Sequence, residues 1–186
     1  DPPSEAAFDK ARELTIAEIH EIQENWAQAA LRAKKAGLDG VEIHVAHYAL
    51  GNSFLSRRQN KRHDEYGCDT LENRARFAVE IMKRVRELCG DDFVIGCRMS
   101  AREWGDPLGT TLEEAVEFAK MFEKAGLDYI QASGYGYNEV WCCWVPTQLY
   151  WPEPVPSTKE FRDRIPTGAM LPEAEANRKA VKIPET

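Results

Sequence analysis

The stretch AGLDGVEIHVAHYAL, residues 36–50, decides the fold, because its first four residues return at 125–128 ahead of YIQAS. Each copy follows a run with helical spacing and leads into a short apolar run. The glycine ends a helix and a strand begins directly after it. Before the first copy, Ile16, Ile19, Ile22, Trp26, Ala30 and Ala33 recur at steps of three and four, which lays an apolar stripe along one helical face. Thr15 and Glu18 have the spacing of a capping box at its start. A second helix reads from about Thr70 to Leu88 and turns through GDD into FVIGCRMS, residues 93–100. That segment is apolar until Arg98, as expected of a strand buried on both faces of a parallel sheet. A third helix spans Thr111 to Ala125 and meets the second AGLD.

Helix, AGLD, strand and polar loop in repetition make an α/β chain with parallel strands. An open doubly wound sheet and a (β/α)8 barrel both accept this order, and both gather chemistry at the C-terminal ends of strands. That rule selects His44, His47 and Tyr48 after the first strand, Arg98 at the end of the second, and the SGYGYN segment after the third. No G-x-G-x-x-G and no Walker loop follows a strand, which disfavours a Rossmann dinucleotide site. From Gly134 to Met170 the rhythm breaks into a long loop, rich in proline and aromatics, that reads as ordered. PEAEANRKAVKIP then restores a helix leading into a strand.

The chain of 186 residues, 43% hydrophobic and 30% charged, has the composition of one globular domain. A net charge of −7 with no basic face disfavours nucleic acid as a partner. No apolar run approaches the roughly 18 residues that span a bilayer, and DPPSEAAFDK has neither a basic nor an apolar leader region. The expectation is a cytoplasmic protein without a membrane segment. Cys68, Cys89, Cys97, Cys142 and Cys143 show no C-x-x-C spacing, so free thiols are the simplest reading. A zinc site on His44-x-x-His47 with His63 or a carboxylate is the sharper alternative. Residues three apart on a strand point to opposite faces, so those two histidines converge only if the chain turns.

Five segments in order resemble the old yellow enzyme family of FMN-dependent oxidoreductases: AGLDGVEIHVAH (36–47), FLSRRQNKRHDEYG (54–67), LENRARF (71–77), IGCRMS (95–100) and AVKIP (180–184). The likeness is nearest to the bacterial branch of enoate, dienoyl-CoA and bile-acid reductases. It implies a (β/α)8 TIM barrel of which residues 1–186 form a single partial FMN-binding domain, about three complete βα units and the start of a fourth. It further implies that the remaining strands and later domains belong to a larger enzyme. Those parts would hold much of the FMN phosphate site, a 4Fe-4S cluster, and sites for FAD and NAD(P)H. Open sheet edges would leave the segment alone poorly stable and without bound flavin.

By the same resemblance His44 and His47 are the pair that binds a substrate oxygen, and Arg98, with His44, lies against the flavin. Tyr48 is offset, because the family's proton-donating tyrosine falls two residues after the second histidine, where this chain has Ala49. Tyr48, Tyr135, Tyr137 or solvent is then the proton donor. Tyr135, Tyr137 and Trp141 belong to the expected substrate loop, whose tryptophans would serve equally as a homo-oligomer contact. The implied substrate is a small α,β-unsaturated acid, carbonyl compound or enoyl-CoA thioester. An amine dehydrogenase-like flavoenzyme and a non-catalytic barrel scaffold are the alternatives. Arg62, Asp64, Tyr66, Asn73 and Arg74 read as structural, pinning the long loop to the next helix.

Overall fold

The computed structural model describes residues 12–136 and 171–185. Its elements run α1 (Ile16–Lys35), β1 (Gly40–Val45), α2 (Leu50–Leu55), α3 (Leu71–Cys89), β2 (Val94–Trp104), α4 (Leu112–Lys124), β3 (Tyr129–Gly136) and α5 (Leu171–Ala180). Thr15 and Thr111 open α1 and α4 with reciprocal capping boxes to Glu18 and Glu114, which satisfies N–H groups a helix start leaves bare. The two AGLD copies close the preceding helices in the same way. The Leu38 N–H donates to the Ala33 carbonyl and the Gly37 N–H to that of Lys34, while Leu127 and Gly126 repeat these bonds on Phe122 and Glu123. Gly37 and Gly126 take φ of 87° and 98°, a left-handed conformation that side chains resist. One cap is therefore built twice.

Strands β1, β2 and β3 pair in that order, all parallel. Beyond α5 the Ile130 N–H donates to the Pro184 carbonyl, and Glu185 bridges Ile130 in parallel, so a further segment begins along β3. One sheet face meets the helices: Ile43, Val45, Ile95, Cys97, Met99 and Ile130 are buried against Ile19, Phe77, Ile81, Met82, Phe118 and Phe122. The other face carries Glu42 and His44, then Gly96, Arg98 and Ser100, then Tyr129, Gln131 and Ser133, in register. Burial of β2 on both faces holds at Gly96 and Ser100 but fails at Val94, which is 42% exposed. Nothing among the described residues covers this second face at that level.

Gly96 is set by its neighbour on β3. The Tyr129 ring crosses over it to give its hydroxyl proton to Glu42 Oε2 at 3.1 Å, and a Cβ built on Gly96 would lie 2.0 Å from Tyr129 Cζ. Gly96→Ala therefore displaces Tyr129 and breaks its bond to Glu42. The expected destabilisation in urea denaturation is about 1–3 kcal/mol, and it shrinks when Tyr129 is first replaced by alanine.

Three boundaries differ from the sequence reading. His44 lies within β1 rather than after it, because the strand extends to Val45. The polar loop that follows contains the six-residue helix α2, and β2 runs on past Ser100 to Trp104. Residues 134–136 continue β3 rather than opening a loop; Tyr137, Trp141 and the rest of 137–170 lie outside the described residues.

The pinning segment behaves as expected. The Asn60 amide donates to the carbonyls of Phe54 and Tyr66, Arg62 pairs with Asp64 and donates to the Leu14 carbonyl, and the Tyr66 hydroxyl donates to Glu80.

Candidate active site

The turn that leaves β1 brings the two histidines together. His47 has φ 58°, the one positive value at a non-glycine among the described residues. A side chain in that region is strained and persists only where its surroundings impose it. Here the imposed turn reverses the strand alternation, so the His44 and His47 rings meet edge to face with centroids 5.4 Å apart. The convergence that a zinc site or an oxygen-binding pair needs is present. Among the described residues, however, no set of three His, Cys, Asp or Glu is arranged to hold a metal ion.

Two serines hold His47 in place. Its backbone N–H donates to Ser100 Oγ at 2.9 Å, and its Nε2 shares a 2.8 Å hydrogen bond with Ser133 Oγ. Ser100 and Ser133 face each other across β2 and β3. Ser133 opens the SGYGYN segment that the strand-end rule selects, whereas Ser100, the last residue of the FVIGCRMS strand as read from sequence, is not among the residues that rule singles out.

Arg98 pairs with His44 in the β1–β2 register. Its Nε is buried and makes no hydrogen bond to the described residues. A buried guanidinium N–H without an acceptor calls for one, and the carbonyl and ring-nitrogen edge of a flavin supplies acceptors of that kind. The donor set therefore fits a flavin, with Arg98 and His44 as the residues that would hold it. Tyr48 follows His47 and is 47% exposed, while of Tyr135 only the backbone is described, within β3.

Burial, then the nearby His44, then Arg98 push the His47 imidazole from its ordinary 6.5 down to about 4. His47 is therefore neutral at pH 7, with one ring nitrogen bearing a proton. The folded state resists protonation that the unfolded chain accepts, so His47 contributes stability above pH 6.5 that is lost as the pH falls towards 4. Denaturant midpoints measured from pH 7.5 to 4.5 should show this fall, and His47→Gln should remove that part of it.

Comparison with known proteins places this chain among flavoenzymes. The model of the NADH:flavin oxidoreductase / NADH oxidase family matches residues 3–145. The chain is 41% identical over 173 residues to an NADH oxidase of Thermoanaerobacter brockii, covering 93% of this chain and 24% of that protein. It is 35% identical to a cinnamate reductase of Clostridium sporogenes, covering 93% and 26%. Among solved structures, 2-naphthoyl-CoA reductase in complex with 2-naphthoyl-CoA superposes with a TM-score of 0.75 at 34% identity, over 94% of this chain and 24% of that one. Histamine dehydrogenase from Rhizobium sp. 4-9 gives 0.75 at 29% identity, over 94% and 23%. The chain thus spans about a quarter of each of these relatives, and its three βα units are a sector of a (β/α)8 barrel. No helix among the described residues is long and apolar enough to cross a membrane.

Proposed function

Because the chain belongs to the NADH:flavin oxidoreductase / NADH oxidase family, we propose that it forms the substrate-oxygen side of an FMN-dependent ene reductase acting on an α,β-unsaturated acid, carbonyl compound or acyl-CoA. The observation that carries the reading is the convergence of the His44 and His47 rings beside Arg98, whose buried Nε has no acceptor among the described residues. Reduction of such an alkene adds a hydride to the β carbon and a proton to the α carbon, and negative charge develops on the carbonyl oxygen. FMN, when bound, supplies the hydride. His44 and His47 donate N–H bonds to that oxygen, and fixed donors stabilise charge without reorganising as it appears. Neutral His47 serves as a donor rather than an ion, and its strained backbone and serine bonds keep its position before substrate arrives. Arg98 would hold the flavin when it is bound, and its permanent cation would favour the anionic reduced ring.

The proton comes from Tyr48, from Tyr135 or Tyr137, or from solvent. NAD(P)H is the proposed electron donor, which the name of the NADH oxidase relative supports, and a 4Fe-4S cluster and FAD are proposed for other parts of the protein. The histamine dehydrogenase neighbour favours one other reading, oxidation of a C–N bond on the same barrel.

Purified full-length protein should carry FMN absorbance and reduce cinnamate anaerobically with NADH. Absence of flavin would sink both readings, whereas amine oxidation with cinnamate untouched would select the second. Phenylalanine at each of Tyr48, Tyr135 and Tyr137 in turn identifies the proton donor, and unchanged rates throughout leave solvent.

A further inference from the structure

We propose that Glu103 is a positioning residue for the histidine turn, holding residues 47–56 against β2. Its catalytic consequence rests on the ene-reductase reading; its structural consequence does not.

Strand β2 carries a bulge. Ser100 pairs with Ser133, yet Arg102 rather than Ala101 pairs with Gly134, so β2 carries one extra residue between them. Regular alternation would set Arg102 next after Ser100 on the face that bears His44 and Arg98. The bulge gives that place to Glu103, opposite Tyr135, which is a recognised use of an extra strand residue. Arg102 turns to the helix side and meets Glu173 of α5 at 3.3 Å. The strand thus presents a carboxylate, not a guanidinium, to the turn.

That carboxylate is 5% exposed and well bonded. Oε1 accepts from Asn52 Nδ2 at 2.8 Å, and Oε2 accepts from Ser56 Oγ and from the Thr110 N–H, both at 2.7 Å. Asn52 and Ser56 are themselves buried and lie in and just after α2. A six-residue helix with no side-chain cap at Ala49 cannot hold its own place, so tertiary anchors must set it. β2 supplies them at two points: Ser100 on the His47 N–H, and Glu103 on α2. For stability alone, apolar packing would serve as well as a buried carboxylate. What the carboxylate adds is direction, since three donors converge on it from fixed angles.

The test uses the full-length flavoprotein with Glu103→Ala, Glu103→Gln and Ser56→Ala. With flavin content retained, Glu103→Ala should lower kcat for cinnamate by roughly 10- to 100-fold, the usual effect of displacing an active-site group by about 1 Å. Hydrogen–deuterium exchange over residues 46–56 should accelerate in both the apoprotein and the loaded protein. Binding of 4-hydroxybenzaldehyde, whose phenolate oxygen the imidazole pair can hold, should weaken when followed through the flavin absorbance. Glu103→Gln should restore slow exchange and bring kcat within about threefold of the wild type, because the buried and unpartnered Asn52 Oδ1 can accept the new amide N–H after a flip. Unchanged exchange over 46–56 in Glu103→Ala, or a kcat within about twofold of the wild type, would overturn the proposal. If Glu103→Ala does not fold, Ser56→Ala decides by the same exchange: faster supports, unchanged overturns. A wild type that reduces no alkene refutes the ene-reductase reading, while exchange and phenolate binding still judge Glu103.

Discussion

Alanine at His44 should lower kcat/KM for cinnamate by about 10²–10³-fold in the flavin-loaded full-length protein, the range seen when one preorganised oxyanion donor is removed. Alanine at His47 should do at least as much, and for two reasons that can be separated. It removes a donor, and it places a residue with no polar side chain at φ 58°, where the strain is held by the Ser133 bond to the ring. Asparagine tolerates left-handed backbone and keeps an N–H donor. His47→Asn should therefore recover part of the loss while His47→Ala does not; His47→Gly, which tolerates the left-handed backbone without supplying a donor, should fall between them, and its gain over His47→Ala measures the backbone share. The two rings meet at a centroid distance of 5.4 Å and would bind one oxygen, so the double alanine variant should lose less than the product of the single losses. Steady-state kinetics with flavin content determined for each variant checks this. Equal recovery by alanine and asparagine would refute the role given to the turn.

The parts of this site that could be read in the sequence are those whose causes are local. A helix cap depends on a few adjacent residues, so AGLD announced both helix ends and both strand starts. The histidines and Arg98 were legible because strand ends collect chemistry and because their segments resemble a family in order. Their convergence was not legible, since nothing in AHYA marks a histidine for positive φ; that conformation comes from Ser100 and Ser133 on two other strands. The bulge in β2 was hidden for the same reason, being defined by what β3 places opposite. Helix α2 is too short for periodicity to declare it. Glu103 lies beyond Ser100, where the sequence reading ended β2, and its burial depends on contacts roughly fifty residues back along the chain.

Removing Arg74 should destabilise the fold by about 3–5 kcal/mol, the usual effect of breaking one side of a buried ion pair. Arg74 is 2% exposed and sits in α3 at a junction of three elements. Its Nε donates to the Leu55 carbonyl at the end of α2, at 2.6 Å, and its Nη1 donates to Glu114 Oε1 at 2.8 Å. Its guanidinium stands 5.0 Å from the Phe118 ring centroid in α4. Burial pushes the Glu114 carboxyl up, but the bonds from Arg74 and from the Thr111 N–H outweigh it and hold the group below its ordinary range. The stability this pair provides is thus present at neutral pH and is lost as the pH falls through the depressed titration. Arg74→Met keeps much of the volume yet strands the Leu55 carbonyl and leaves Glu114 with Arg57, 3.3 Å away, as its remaining cation partner in the structure. Adding Glu114→Gln to Arg74→Met removes a largely buried charge left with one weaker cation partner and should return about 1–3 kcal/mol of the loss, read from the shift of the barrel's urea transition. The Leu55 carbonyl stays unpaired in both variants, so neither should recover fully. Because that carbonyl ends α2, exchange over residues 50–56 should remain fast in the double variant even where global stability has partly returned.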